Sequence, residues 1–280
     1  MKHLSRAIVV IGMHRSGTSA AARALAALGV YLGNDFLDAQ PENPTGYWED
    51  RGIVELDDRV LKGLGLQWDD AGTVEPRRLR GWRMWRLRRQ TVGYLRRRFT
   101  AHGLWGFKDP RAIRVLPFWL DVLRAAGASD SYLLVIRNPA SVAASLYARQ
   151  RMPAQFALRL WLAYTVPFLD LLAEKPLAVL DYDLLMREPR AQLDRVAGKL
   201  RLPAGAPGEV ERFAGAFLDE RLRHTVFSPD EIDASTQAGC LARDAYVLLY
   251  GVAADRRAID AQFWHEWGAL QARVELAERG

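Results

Sequence analysis

GMHRSGTSAAARALAALG, residues 12–29, follows the short apolar run Ala7–Ile11 and decides how the chain is read. Its glycines let the backbone turn tightly, and the helix expected from Ala20 to Leu28 presents unpaired N–H groups at its start, where an oxyanion settles. Ser16, Thr18 and Ser19 add hydroxyl donors around Gly17, and Gly29 stands where a helix C-terminal cap belongs. Strand, loop, helix is the simplest reading. Thr18, however, occupies the position at which nucleoside triphosphatases carry the lysine that reaches the β- and γ-phosphates. Without that lysine, and without a convincing strand-end aspartate for magnesium, the site is poorly equipped to move a γ-phosphoryl group. Arg15 supplies positive charge earlier in the loop. Taken alone, the stretch also reads as a tight strand-to-helix turn with no ligand.

The pattern returns downstream. Tyr132–Ile136 is an apolar run followed by RNPASVAASLYARQ, residues 137–150, and Leu177–Leu180 is a third run of strand character. Helical stretches over Arg111–Ala126 and Phe156–Leu172 alternate with these runs. The fold class is therefore α/β: a phosphate-loop-like domain with a central parallel sheet flanked by helices, and a helical C-terminal region. No repeat or low-complexity linker divides the chain, so residues 1–280 read as one domain with an insert over 38–103 and a helical region over 205–280. The insert opens with the turn-rich PENPTGYWED, residues 41–50, before a helix from about Glu49 to Leu64. It continues into PRRLRGWRMWRLRRQTVGYLRRRF, residues 76–99, whose arginines fall on nearly every projected face. That composition reads as a solvated, salt-bridged helix, with a nucleic-acid or interfacial lipid surface and closure over a donor as other readings, and its position as a lid over an acceptor site. The segment Asp255–Arg279 reads as one amphipathic helix carrying Phe263, Trp264 and Trp267.

Composition sets the outer bounds. With 280 residues, 50% of them hydrophobic, the chain buries a full core, which excludes disordered and fibrous classes. The net charge of +6 favours anionic partners without choosing among them. Cys240 is the single cysteine, which excludes an intrachain disulfide and a cysteine-based zinc cluster and fits a reducing compartment. The N-terminal apolar run is too short for a signal peptide, and no stretch reaches the roughly 20 apolar residues of a membrane span, so the expected location is cytoplasmic.

Arg137 closes the run Tyr132–Ile136, and Ser145 lies eight residues later on the following helix, with Pro139 suited to its first turn. A strand-end arginine and a hydroxyl two turns along a helix can converge on one phosphate. The two patterns together resemble the sulfotransferases that use 3′-phosphoadenosine 5′-phosphosulfate. Arg15, Ser16, Gly17, Thr18 and Ser19 match that family's 5′ loop, Arg137 and Ser145 match its 3′-phosphate motif in the family's order, and Asp181–Pro189 is similar to its recurrent strand-to-helix junction. The resemblance spans roughly Ala7–Leu193, and its specificity lies in the combination. It implies a donor of that nucleotide, 3′-phosphoadenosine 5′-phosphate as product, and no metal requirement. The late glycine- and lysine-rich phosphate loop of many cytosolic members is not evident, and Arg223, in LRHTVFSP, is a weaker donor contact.

Sulfuryl transfer to an alcohol needs an acceptor oxygen in line, stabilisation of charge on the sulfate and the leaving phosphate, and a base. Arg15 and the loop amides suit the second task. The resemblance makes Lys108, in WGFKDPRAI, a group for sulfate or acceptor, with Arg111 beside it and Asp109 as orienter or helix cap; an ion-paired helix start is the competing reading. The base is Glu49, in NPTGYWED, ahead of His14 inside the loop. A glutamate base is similar to that of carbohydrate- and tyrosine-modifying, bacterial carbohydrate or Golgi-type members, whereas cytosolic small-molecule members use histidine. The expected acceptor is a hydroxyl-bearing carbohydrate, lipid or small metabolite. Nucleic acid is not expected, and homo-oligomers and peripheral membrane contact stay open. A phosphate-loop phosphotransferase and a non-enzymatic basic protein that binds nucleotides or nucleic acid are the alternatives.

Overall fold

Four short β-strands set the architecture: β1 (Arg6–Ile11), β2 (Leu104–Lys108), β3 (Ser129–Ile136) and β4 (Leu177–Asp181). A computed structural model describes residues 4–40, 46–203, 205, 208–217 and 231–279. The strands form one parallel sheet in the order β2-β1-β3-β4. The three expected runs lie in it, at β1, β3 and β4. The fourth strand, LWGFK, lacks an unbroken apolar run because Gly106 interrupts it. The glycine is required there, since a Cβ at Gly106 would lie 2.4 Å from the Ile8 carbonyl oxygen.

Between and after the strands run α1 (Thr18–Ala27), α2 (Arg51–Gly63), α3 (Trp82–Phe99), α4 (Leu116–Ala126), α5 (Pro139–Gln150), α6 (Ala154–Thr165), α7 (Tyr182–Arg187), α8 (Pro189–Leu200), α9 (Glu209–Arg212), α10 (Gln237–Ala253) and α11 (Ala261–Arg279). Alternating strand residues send side chains to opposite faces. Ile8, Val10, Leu133, Val135 and Leu180 meet Ala21 and Leu25 of α1 and Leu193 and Val196 of α8. On the other face Val9, Phe107, Tyr132 and Leu134 share a core with Trp119, Trp161 and Tyr246. Fully burying a large apolar side chain is worth about 1.5–3 kcal/mol, so both layers contribute heavily to cohesion. Among the described residues no helix is long and apolar enough to cross a membrane.

The ends of β2, β3 and β4 each hand the chain to a capped helical turn. Asp109 Oδ1 accepts from Arg111 N at 2.9 Å, Asn138 Oδ1 from Ala140 N at 2.8 Å, and Asp181 Oδ1 from Leu184 N at 3.0 Å. Helix α1 closes as expected at Gly29 (φ 84°), with Gly29 N donating to the Ala26 carbonyl and Val30 N to the Leu25 carbonyl, both at 3.0 Å.

Several expected helices have different limits. Residues 110–115 form a 3₁₀ turn before α4, because Pro110 and the Asp109 cap tighten the start. α6 stops at Thr165, before Pro167, and a separate 3₁₀ turn covers Leu169–Leu172. The tail begins its last helix only at Ala261, since Asp255 takes the left-handed region (φ 52°) and Asp260 caps the new start at Phe263 N. α3 corrects a larger expectation. It does carry an apolar stripe, Met84, Leu87, Leu95 and Phe99, buried in the main core. It is also sparsely salt-bridged among the described residues: Arg88 pairs with Asp121 and Arg98 with Asp50, while Arg83, Arg86, Arg89 and Arg97 have no carboxylate partner there.

One backbone approach sets the position of the first loop. Gly12 (φ 144°) lies so close to β3 that a Cβ would stand 2.2 Å from the Val135 carbonyl oxygen. Gly12→Ala is expected to lower unfolding free energy by about 2–4 kcal/mol in urea titration, from backbone strain and overpacking together. A change below about 0.5 kcal/mol, the level of an ordinary surface substitution, would show that the loop does not depend on this contact.

Candidate functional site

The chain leaves β1 for β2 on one side and β3 for β4 on the other, so the carboxyl ends of β1 and β3 border a topological switch point. In open parallel sheets that crevice is where ligands bind. The loop 12–17 fills its β1 side, bent by Arg15 (φ 67°) and Gly17 (φ 86°). Arg137, buried, rises from the end of β3, and Ser145 follows on α5. The two motifs meet here: Arg15 Nε donates to Ser145 Oγ at 2.9 Å. Tyr182, at the start of α7, joins them from β4. Its ring lies under Gly17, where a Cβ would approach within 2.1 Å, and the Arg137 guanidinium stacks on it at 4.8 Å.

Two serine hydroxyls are buried beside these motifs. The Oγ atoms of Ser16 and Ser141 are buried without a hydrogen-bond partner among the described residues. Buried polar atoms are nearly always satisfied, so two orphans beside a phosphate-type loop fit a bound oxyanion. Ser141 sits inside RNPASVAAS but was not singled out by sequence, where one serine in the motif looks like another. Thr18 is buried at the helix start, and Ser19 Oγ turns away to donate to the Tyr47 carbonyl at 3.0 Å.

A second group of residues adjoins Ser19. Lys108, at the end of β2, donates to Glu49 Oε1 at 2.5 Å and to the Tyr47 carbonyl at 3.1 Å, with Ser19 Oγ 3.4 Å away. Lys108 thus places an ammonium at the loop from the neighbouring strand, although the loop itself lacks a lysine. Arg111 Nη1 lies 3.6 Å from Glu49 Oε2 and 3.0 Å from Asp109 Oδ1, and its Nε donates to Asp58 at 2.8 Å. Glu49 and Lys108 are 4% and 2% exposed, so this is a buried ion cluster rather than a solvated surface pair. Glu49 is positioned by its neighbour: Asp50 caps α2 through Ile53 N and accepts from Tyr94 Oη at 2.5 Å and Arg98 Nε at 3.0 Å. α3 is thereby fastened to the backbone at the cluster.

This fold is shared. The sulfotransferase domain of the Synechococcus PCC 7002 olefin synthase aligns with a TM-score of 0.50 at 17% identity, over 88% of this chain and 96% of that one. The chain shares its α/β fold with that domain. The sulfotransferase STF1 of Mycobacterium tuberculosis H37Rv aligns at a TM-score of 0.45 and 18% identity, over 77% and 72% of the two chains. No protein-family model matches the chain, and no curated protein matches it.

His14 packs against two aromatic rings, its own ring 4.8 Å from Trp68 and 5.5 Å from Tyr164. Burial, and then the charges of Arg111, Lys108, Arg149 and Arg15, holds its imidazole well below the ordinary histidine value. Its Nε2 is enclosed without a hydrogen bond among the described residues. Arg223 lies outside the described residues. Behind Arg111, sequence reading missed a buried acid pair. Asp57 accepts from Trp119 Nε1 at 2.7 Å, and burial followed by the adjacent Asp109 carboxylate pushes its carboxyl well above the usual range. Burial pushes Asp109 up to about 6. The sequence signal was an aspartate among Ile53, Val60 and Leu61 on the apolar face of α2.

A carboxyl whose folded pKa is raised binds protons more tightly when folded, so its stability contribution is fullest in acid and is lost as pH rises from about 4 through about 6. Asp57→Asn keeps an acceptor for Trp119 while removing one ionisable group. It is expected to flatten this loss and to raise stability at pH 8 by roughly 1–3 kcal/mol in urea titrations across pH. An unchanged pH slope, with lower stability at pH 8, would contradict the pairing.

Proposed function

We propose that the protein is a sulfotransferase that moves a sulfuryl group from 3′-phosphoadenosine 5′-phosphosulfate to a hydroxyl group. The observation that carries this reading is the meeting of the loop after β1 with the Arg137 and Ser145 motif after β3, joined by the Arg15 to Ser145 hydrogen bond. A single phosphate site would need only the loop. Two adjacent anion-binding elements on neighbouring strand ends suit a ligand with separated anionic groups. The orphan hydroxyls of Ser16 and Ser141 fit the same ligand, as does the shared architecture with a sulfotransferase domain.

The donor supplies an activated sulfuryl group with a phosphate as leaving group. Arg137 and Ser145 hold its 3′-phosphate; Ser16, Gly17, Thr18 and Ser19 hold the 5′ end through loop amides and hydroxyls. Arg15 spans both and stabilises charge that develops on the 5′ side. Lys108, held by Glu49 and the Tyr47 carbonyl beside Ser19, is the second cation at that end. Glu49 is the base. Its Oε1 is engaged by Lys108, which leaves Oε2, facing Arg111, to receive the acceptor proton. His14 is the poorer candidate, because its lowered proton affinity and enclosed Nε2 both oppose proton capture. A glutamate base places the protein nearer bacterial carbohydrate and Golgi-type sulfotransferases, with a carbohydrate, lipid or small metabolite as acceptor. The lone Cys240 fits work in the cytoplasm.

The test is single-turnover transfer of labelled sulfate at saturating donor and acceptor. Glu49→Gln preserves an oxygen for Lys108 and is expected to slow the chemical step by roughly 10²–10⁴-fold with donor affinity nearly unchanged. If Glu49→Gln retained the wild-type rate while His14→Ala lost it with donor binding intact, the base would be His14.

A further inference from the structure

The positive charge of the chain is concentrated in one segment that the donor site does not use. Residues 76–99 contain ten arginines and no lysine, aspartate or glutamate, and taking these ten from a net charge of +6 leaves −4 for the rest of the chain. Like charges at helical spacing destabilise a helix, and the nearby acids relieve little of this. Arg77 pairs with Glu75, Arg88 with Asp121 and Arg98 with Asp50; Arg78, Arg80, Arg83, Arg86, Arg89 and Arg97 are exposed and without a carboxylate partner among the described residues.

The same segment exposes its largest apolar side chains. Trp82 is 66% and Trp85 51% exposed, although the core of this protein buries other tryptophans completely. Trp82, Trp85, Arg86 and Arg89 follow the i, i+3, i+4, i+7 spacing of one helix face, opposite the buried stripe of Met84, Leu87 and Leu95. The rings are interleaved with guanidinium groups: Arg83 and Arg86 lie 5.7 and 5.9 Å from the Trp82 ring centroid, and Arg89 lies 4.9 Å from that of Trp85. The buried stripe fixes α3 to the body, so this is a rigid, outward-facing strip.

We propose that the outer face of α3 docks the protein onto an anionic lipid surface. Tryptophan places its amphipathic ring at headgroup depth, and the neighbouring guanidinium groups neutralise lipid phosphates and carboxylates. Single-stranded nucleic acid is the other polyanion such residues bind. It requires a groove that tracks the backbone and ring faces open for base stacking. Here the strip is one exposed helix face, and arginines already lie over both rings. The proposal does not depend on the identity of the donor nucleotide.

The experiment is co-sedimentation of the full chain with vesicles of phosphatidylcholine alone or with ~30% phosphatidylserine, over a range of salt. Binding is expected only to the anionic vesicles and to weaken with salt. Brominated acyl chains in those vesicles should quench tryptophan fluorescence, and the Trp82→Ala, Trp85→Ala double variant should lose that quenching. Arg86→Gln with Arg89→Gln should weaken partitioning about 30-fold, the loss expected for two cations at an anionic surface. Thermal unfolding of each variant checks that it folds, and quenching of the wild type stands independently of the variants. Equal binding to neutral and anionic vesicles, absence of quenching, or tighter binding to a single-stranded oligonucleotide than to the vesicles would overturn the assignment.

Discussion

Two backbones in near contact, Gly12 at the end of β1 and the Val135 carbonyl on β3, set the geometry on which the site depends. A side chain at residue 12 would push the loop away from the neighbouring strand. With glycine there, the loop folds over the switch point, and Arg15 reaches Ser145 on the helix that follows β3. The parallel strand order supplies the crevice, and the absence of one Cβ lets both its walls belong to a single site. Gly17 repeats the device against Tyr182, bringing in the end of β4.

The ion cluster beside this crevice has a different physical meaning. Taking Lys108 and Glu49 out of water costs several kcal/mol per ion, which their attraction offsets only with good geometry and further hydrogen bonds. The Tyr47 carbonyl and Arg111 provide some of these. A buried ion cluster is therefore weak support for a purely stabilising role. It keeps a carboxylate and an ammonium at fixed positions next to the loop, which is what group transfer between oxygens requires. Asp50, Tyr94 and Arg98 extend that fixation into α3, so the helix that presents the exposed tryptophan and arginine strip is coupled to the same backbone.

The loop after β1 and the motif after β3 were legible in the sequence because their parts are local. Loop glycines, a strand-end arginine and a serine two helical turns on are each read within one element. The runs at β1, β3 and β4 were visible as apolar strings, whereas β2 was masked by Gly106, a residue needed for close strand packing. The contact of Glu49 with Lys108 joins residues 59 positions apart, and spacing carries no information about it. The packing of Trp68 and Tyr164 against His14 was hidden for the same reason. α3 was misread in one respect. Its seven arginines obscured the buried stripe, because Trp82 and Trp85, counted as apolar, lie on the outer face with Arg86 and Arg89. Asp57 was legible in principle, as an acid on the apolar face of α2, and Asp109 as a helix cap, but their proximity, across 52 positions, was not.

The central claim is that the loop after β1 and the motif after β3 form one nucleotide site. Calorimetric titration with 3′-phosphoadenosine 5′-phosphate, with adenosine 5′-phosphate and with ATP tests it most directly. A clear preference for the first nucleotide is predicted, and Arg137→Ala should reduce that preference by roughly 10–100-fold, the loss of a charge-assisted contact. Equal, weak binding of all three nucleotides by the unaltered protein would contradict the account and reduce the crevice to a general anion site.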